Sequence, residues 1–192
     1  RSEAAGPFGE GTVQWHHGCG AQVDFDGCKV PLDNEITNPG STNDYSVQVD
    51  LQRAAINLGL GQAAYDTAVD YTKMRRQGGR MIVEHQAIGS KLADIAGSLE
   101  LVRGAVWRAA WDADNPQARA DGSLADIPHA LISQVAAADM LYRAAKDAAE
   151  CFGAMGVMRD MPMQKYMHDT RLFRHSGHGA SDARLRLAEA LA

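Results

Sequence analysis

The amino-acid sequence predicts a mainly α protein, an antiparallel up-down four-helix bundle preceded by a short β or irregular arm. Three observations carry that reading. Ile88, Leu92, Ile95, Leu99, Val102 and Val106 step 4, 3, 4, 3, 4, which sets one face of a helix of roughly thirty residues. Leu131, Val135, Ala138, Tyr142, Ala145, Ala149 and Phe152 repeat the pattern. Turns rich in Gly, Pro and Asn separate such stretches, and helices this long need neighbours to cover them. Many inward-facing alanines would let the rods pack closely.

Residues 1–43 read as the remnant of a β-domain and its linker, and residues 44–192 as the bundle. In the first segment, Val23-Asp24-Phe25 and Cys28-Lys29-Val30 alternate before Pro31, as short strands do. Two strands are no stable sheet alone, so they belong to a larger β structure or lie as an arm on the bundle. The first helix is expected from Asp44 to Arg76, capped by Asp44 or Ser46, with Leu51, Ala55, Leu58, Tyr65, Val69 and Thr72 facing inward. Gly59 and Gly61 suggest close approach of another backbone or a ligand, since each costs about 1 kcal/mol relative to alanine in a helix. The second helix is expected from Ile82 to Asp114, stopped by Asn115-Pro116. Trp107 and Trp111, one turn apart, read as core or subunit-interface residues. A polar loop leads to Asp126 as a cap and Pro128 in the first turn of the third helix, which Gly153 and Gly156 end. A fourth helical region starts near Pro162, breaks at His175–Gly179 and resumes at Ser181.

A net charge of −5 over 192 residues gives no reason to expect nucleic acid or an anionic membrane as partner. No apolar run reaches the eighteen or so residues of a membrane span, and no signal peptide is visible. Cys19, Cys28 and Cys151 have no metal-ligand spacing and read as reduced thiols of a cytoplasmic protein. The chain opens on Arg1, as a trimmed polypeptide would.

Arg75 and Arg76 sit beside Gly78 and Gly79 at the corner between the first two helices. A guanidinium makes paired hydrogen bonds to phosphate, so a cofactor phosphate site competes there with a solvated basic corner. Gly153-Ala154-Met155-Gly156 lacks the spacing and preceding strand of a dinucleotide fold, and a helix C-cap explains it equally well. His168, His175 and His178 form no firm helical ligand pair, so no metal is expected. Ser176 with a neighbouring histidine has nothing to orient the base.

Three stretches together resemble the acyl-CoA dehydrogenases, FAD-dependent enzymes that oxidise acyl thioesters in lipid metabolism. Phe25 to Pro31 is similar to their F-x-x-V-x-V-P segment. Arg75 to Gln86, followed by Leu92-Ala93-Asp94, looks like their R-x-x-F-G-x-x-x-x-x-x-Q…LAD signature. Gly153 to Gly156, then His168-Asp169, resembles GGxG…RD. The resemblance covers residues 23 to 191 and implies the C-terminal half of such an oxidoreductase, without the N-terminal helical domain and nearly all of the β-domain. It further implies a homo- or hetero-oligomer, dimer or tetramer, whose bundle shares FAD across a subunit interface. Arg75 would reach the pyrophosphate of a neighbour's FAD, Gln86 belongs to the same signature, and Gly153, Ala154 and Gly156 would lie near the adenosine part.

The departures bear on activity. The family's catalytic glutamate falls on Gly177 and its threonine on Gly179. The flavin-side phenylalanine becomes Gly78, the glutamine before the glycine turn becomes Glu150, and the arginine of RD becomes His168. An extra carboxylate at Glu150 is expected to repel a phosphate. Some members carry the base on the first bundle helix, where Asp50 alone has suitable chemistry. The leading expectation is therefore an acyl-CoA dehydrogenase-like flavoprotein, divergent or base-less and acting with a partner chain. A flavin-dependent monooxygenase of the same fold, with His175 or His178 as proton donor, and a non-catalytic assembly bundle are the alternatives.

Overall fold

The computed structural model describes residues 24–35, 39–115, 128–175 and 179–189, with side chains in the first helix described from residue 49 onward. Gly177, His178, Ser176, Asp126 and Val23 lie outside the described residues. Helix α1 runs Pro39–Met74 and α2 runs Gln86–Asp114. Helices α3 (His129–Ala136) and α4 (Tyr142–Glu150) form one rod through a π-helical turn at Ala137–Leu141, and α5 (Met163–His175) and α6 (Ala180–Glu189) complete the bundle. Helix α1 packs against α2, α3, α4 and α5, so it is the central rod.

The inner face expected on α2 is the observed one: Leu92, Ile95, Leu99, Val102 and Val106 are buried, with Ile88 packed at the edge. On α1 the expected face is largely the observed one: Leu58 and Thr72 are buried and Leu51, Tyr65 and Val69 pack against the core, joined by Ala54, Ala64 and Ala68, whereas Ala55 is exposed. Gly61 supplies the closest approach there. A Cβ on it would come within 2.9 Å of Leu141 Cδ2 and 3.2 Å of Leu99 Cδ2. The π turn inserts an extra residue into the third rod. Asn57, buried in α1, donates its amide to the Ala137 carbonyl at 3.0 Å, pairing a polar group that the altered ladder brings to the core.

Three expectations are corrected. Helix α1 begins at Pro39, whose fixed φ suits a first helical position, so Asp44 and Ser46 lie inside the helix rather than capping it. Helix α2 begins at Gln86, because Ile82–Glu84 form a 3-10 turn and His85 is extended. No strand forms among the described residues 24–35; Gly27 turns at φ 60° and Leu32–Asn34 make a 3-10 turn. Phe25, Val30 and Leu32 stand exposed there. Trp107 and Trp111, expected in the core or at a subunit interface, are 67% and 45% exposed, so they lie outside the core of this chain. Among the described residues no helix is long and apolar enough to cross a membrane.

Candidate functional site

The corner after α1 is a two-residue hairpin that periodicity does not reveal. Strands β1 (Arg76–Gln77) and β2 (Arg80–Met81) pair in register Arg76↔Met81 and Gln77↔Arg80. Gly78 and Gly79 turn with φ 61° and 83°, a left-handed pair that suits a tight hairpin loop and that other residues resist. The Arg75 amide donates to the Tyr71 carbonyl at 2.9 Å, and its own carbonyl accepts from the Ile82 amide at 2.8 Å. Arg75 is thus pinned on both sides at the backbone. Its guanidinium is exposed and makes no ion pair among the described residues.

His85 locks the hairpin from above. Its Nδ1 lies 3.3 Å from Arg80 Nε and 3.2 Å from the other guanidinium nitrogen, while Nε2 lies 3.0 Å from the Gln77 carbonyl. Arginine only donates, so Nδ1 accepts and Nε2–H donates; the ring is the neutral Nε2–H tautomer. The imidazole fills the space over Gly78, where a Cβ would stand 3.2 Å from His85 Cε1.

Opposite the hairpin lies the bend after α4. Gly153 adopts φ 59° where the helix ends, and Gly153–Val157 continue as a 3-10 turn. Gly156 is buried, and a Cβ on it would meet the Ala149 carbonyl oxygen at 2.4 Å. Its role in the fold is therefore close backbone packing behind the bend, while Gly153 and Ala154 face the solvent side.

Corner and bend wall one cavity of about 600 Å³. Arg75, Gly78 and His85 line one side, and Glu150, Gly153 and Ala154 the other. Tyr71 and Phe152 stack between them. The Glu150 carboxylate does not stand bare. Lys91 donates to it at 2.6 Å and Lys146 lies 3.6 Å away, with Lys91 also 3.9 Å from Asp147. The hydrogen bond from Lys91, then its charge, holds the Glu150 carboxyl below its ordinary value; the same bond raises Lys91. The expected repulsion of an anion by Glu150 is thereby offset locally. Burial pushes the Cys151 thiol up, so it sits in the wall as a neutral group donating to the Asp147 carbonyl at 3.3 Å.

The remaining candidates lie elsewhere. Gln86 opens α2 and is exposed, outside the cavity wall. Asp50 lies 25 residues before Arg75, most of that within α1, about 37 Å away at 1.5 Å per residue. Its carboxylate is fully buried, 3.4 Å from Arg186 and 3.6 Å from Arg53. One nucleotide cannot span both ends. His168 and His175 border a second groove of about 580 Å³ with Tyr142, Gln164 and Arg171. Sequence reasoning missed His85, Lys91 and the Tyr71–Phe152 stack, which no motif or periodicity marks.

Three comparisons bear on this arrangement. Residues 48–191 match the family described as acyl-CoA dehydrogenase, C-terminal domain. The chain is 35% identical to 3-sulfinopropanoyl-CoA desulfinase of Paraburkholderia xenovorans (strain LB400), over 89% of this chain and 44% of that protein. It is 31% identical to the mitochondrial short-chain specific acyl-CoA dehydrogenase of Homo sapiens, over 79% of this chain and 36% of that protein. Butyryl-CoA dehydrogenase from Megasphaera elsdenii superposes with a TM-score of 0.76 at 25% identity, covering 90% of this chain and 44% of that one. The chain thus spans less than half the length of the relatives it matches.

Proposed function

Because the chain belongs to the acyl-CoA dehydrogenase family through its C-terminal helical domain, we propose that it is the bundle part of an FAD-dependent protein acting on acyl-CoA thioesters. Its corner cavity takes the diphosphate and adenosine of the flavin nucleotide. One observation carries this reading: the Arg75 guanidinium, which makes no ion pair among the described residues, lines the same cavity as the left-handed glycine bend at Gly153. The donor set fits the group. Arg75 binds phosphate oxygens in paired fashion, and the bend lets a backbone approach without a Cβ in the way. The volume lies within the range of small-ligand sites, about 300–1,000 Å³.

The bound flavin would supply electron transfer, and this chain's residues hold and orient the nucleotide end. The other protomer or chain of a homo- or hetero-oligomer supplies the ring pocket. Proton abstraction from the substrate Cα has no carboxylate at Gly177. Asp50 is the remaining acidic candidate, but burial between two guanidiniums favours a structural clamp between α1 and α6. The base then lies outside this chain, in a partner.

A second reading draws on the desulfinase relative. Removing a sulfinate from a 3-sulfino acyl-CoA with water breaks one C–S bond, forms one C–H bond and releases hydrogensulfite. No net electrons pass to an acceptor, so the reaction needs no external oxidant or reductant.

The test loads the protein with FAD and a stoichiometric partner, then offers butyryl-CoA and 3-sulfinopropanoyl-CoA. Bleaching of the flavin by butyryl-CoA supports the dehydrogenase reading, and sulfite release without bleaching supports the desulfinase reading. FAD that fails to bind in every combination defeats both.

A further inference from the structure

Flavin adenine dinucleotide and coenzyme A end in the same group. Both carry adenosine 5′-diphosphate, and coenzyme A adds a phosphate on the 3′-hydroxyl of the ribose. A protein that holds the first as cofactor and meets the second as substrate has to tell the two ends apart.

Among the described residues lining the corner cavity, Glu150 is the one carboxylate. It ends α4 just before the left-handed bend at Gly153, on the wall opposite Arg75. Lys91 donates to its Oε2 at 2.6 Å, and Lys146 lies 3.6 Å from Oε1. The hydrogen bond from Lys91, then its charge, keeps the carboxyl ionised. An ionised carboxylate offers about four lone-pair sites and no proton, and Lys91 occupies one of them. Neighbouring polar groups in the wall are already engaged: His85 with Arg80 and the Gln77 carbonyl, the Cys151 thiol with the Asp147 carbonyl.

Resting on the flavin reading of this cavity, we propose that Glu150 is its specificity residue. The carboxylate accepts hydrogen bonds from the free ribose hydroxyls of adenosine diphosphate and shuts out the 3′-phosphorylated ribose of coenzyme A. A carboxylate facing ribose hydroxyls is how dinucleotide folds read an unphosphorylated sugar. A 3′-phosphate removes one donor and sets acceptor oxygens against acceptor oxygens, with no proton between them. The lysines do not rescue that contact. Lys91 and Lys146 are each shared between Glu150 and Asp147, two ammoniums with two carboxylates, so the cluster holds no surplus positive charge for another phosphate. They soften the field felt by the diphosphate across the cavity, whereas the ribose meets the carboxylate directly. The last carbonyls of α4 add partial negative charge at the same place.

The test is calorimetric titration of the 192-residue chain and its Glu150→Gln variant with ADP, coenzyme A and 3′-dephospho-coenzyme A. The last two ligands differ in that phosphate alone. ADP and the dephospho form are expected to bind the parent, and coenzyme A to bind at least about tenfold more weakly than the dephospho form, the worth of one hydrogen bond to a charged group. Glu150→Gln weakens ADP and the dephospho form, which keep only a neutral acceptor, and tightens coenzyme A, whose phosphate the new amide donates to. The two coenzyme forms then bind within about threefold of each other, less than one such bond. The exchange is near-isosteric and half-exposed, and circular dichroism checks that the helices persist. Equal binding of the two coenzyme forms by the parent, or a preference that survives Glu150→Gln, overturns the proposal and leaves the flavin reading standing as long as ADP binds. ADP that fails to bind the parent overturns both.

Discussion

Tyr71 and Phe152 stack face to face, with ring centroids 4.0 Å apart and planes 14° from parallel. Tyr71 belongs to the last turns of α1 and Phe152 follows α4, so this one contact joins the arginine corner to the glycine bend. Eighty-one positions separate the two rings in sequence. The pair fixes the distance across the cavity, and the ends of two helices would otherwise fray independently.

Phe152→Ala is therefore expected to do two things. Losing a buried ring destabilises by about 3–5 kcal/mol, read as a lower urea midpoint. Under conditions where the variant remains folded, nucleotide affinity also falls, because Gly153 and Ala154 lose their position relative to Arg75. Phe152→Leu keeps most of the volume and recovers most of the stability.

The two glycines of the bend answer to different causes. Gly156→Ala drives a Cβ into the Ala149 carbonyl and is expected to cost about 1–3 kcal/mol. Gly153→Ala keeps its space but must hold φ 59°, at a cost of about 1–2 kcal/mol. Gly59→Ala is the control. It is exposed inside α1 with nothing within 4 Å, so it stabilises by about 0.5–1 kcal/mol. Thermal unfolding of the three variants ranks them.

Lys91 and Glu150 hold each other ionised at the cavity mouth. Lys91→Ala is expected to weaken ADP binding by leaving the Glu150 carboxylate with Lys146 alone at 3.6 Å, and Lys91→Ala with Glu150→Gln to restore it. The pH dependence has a definite sign. Glu150 is lowered from 4.5, so its contribution is present above that value and is lost as pH falls through its depressed pKa. Lys91 is raised from 10.5, so its contribution is present below that value and is lost as pH climbs through its raised pKa. Thermal unfolding followed from acidic pH through neutrality to above pH 10.5 checks both.

Helix α2 was legible in the sequence because a single apolar stripe over eight turns leaves little choice of inner face. The third rod was legible too, but its π turn was not, since one inserted residue barely disturbs a 4, 3 pattern. The hairpin escaped because two-residue strands have no periodicity, and its glycines read equally as ligand approach. Arg75 and the Gly153 bend were each visible alone. That they share a wall depends on Tyr71 and Phe152 meeting across three helices, which no local pattern encodes. His85 was a lone histidine without a motif, and its role appears only once Gly78 lies beneath it.

The most direct test of the central claim is an ADP titration followed by amide resonances in a ¹H–¹⁵N correlation spectrum. The account predicts that ADP shifts the Gly153 and Ala154 amides, and that Arg75→Ala weakens the effect by about ten- to a hundredfold, the worth of a charge-assisted hydrogen bond, with the rest of the spectrum unchanged. Shifts confined to another region, or equal in the parent and Arg75→Ala proteins, would contradict it.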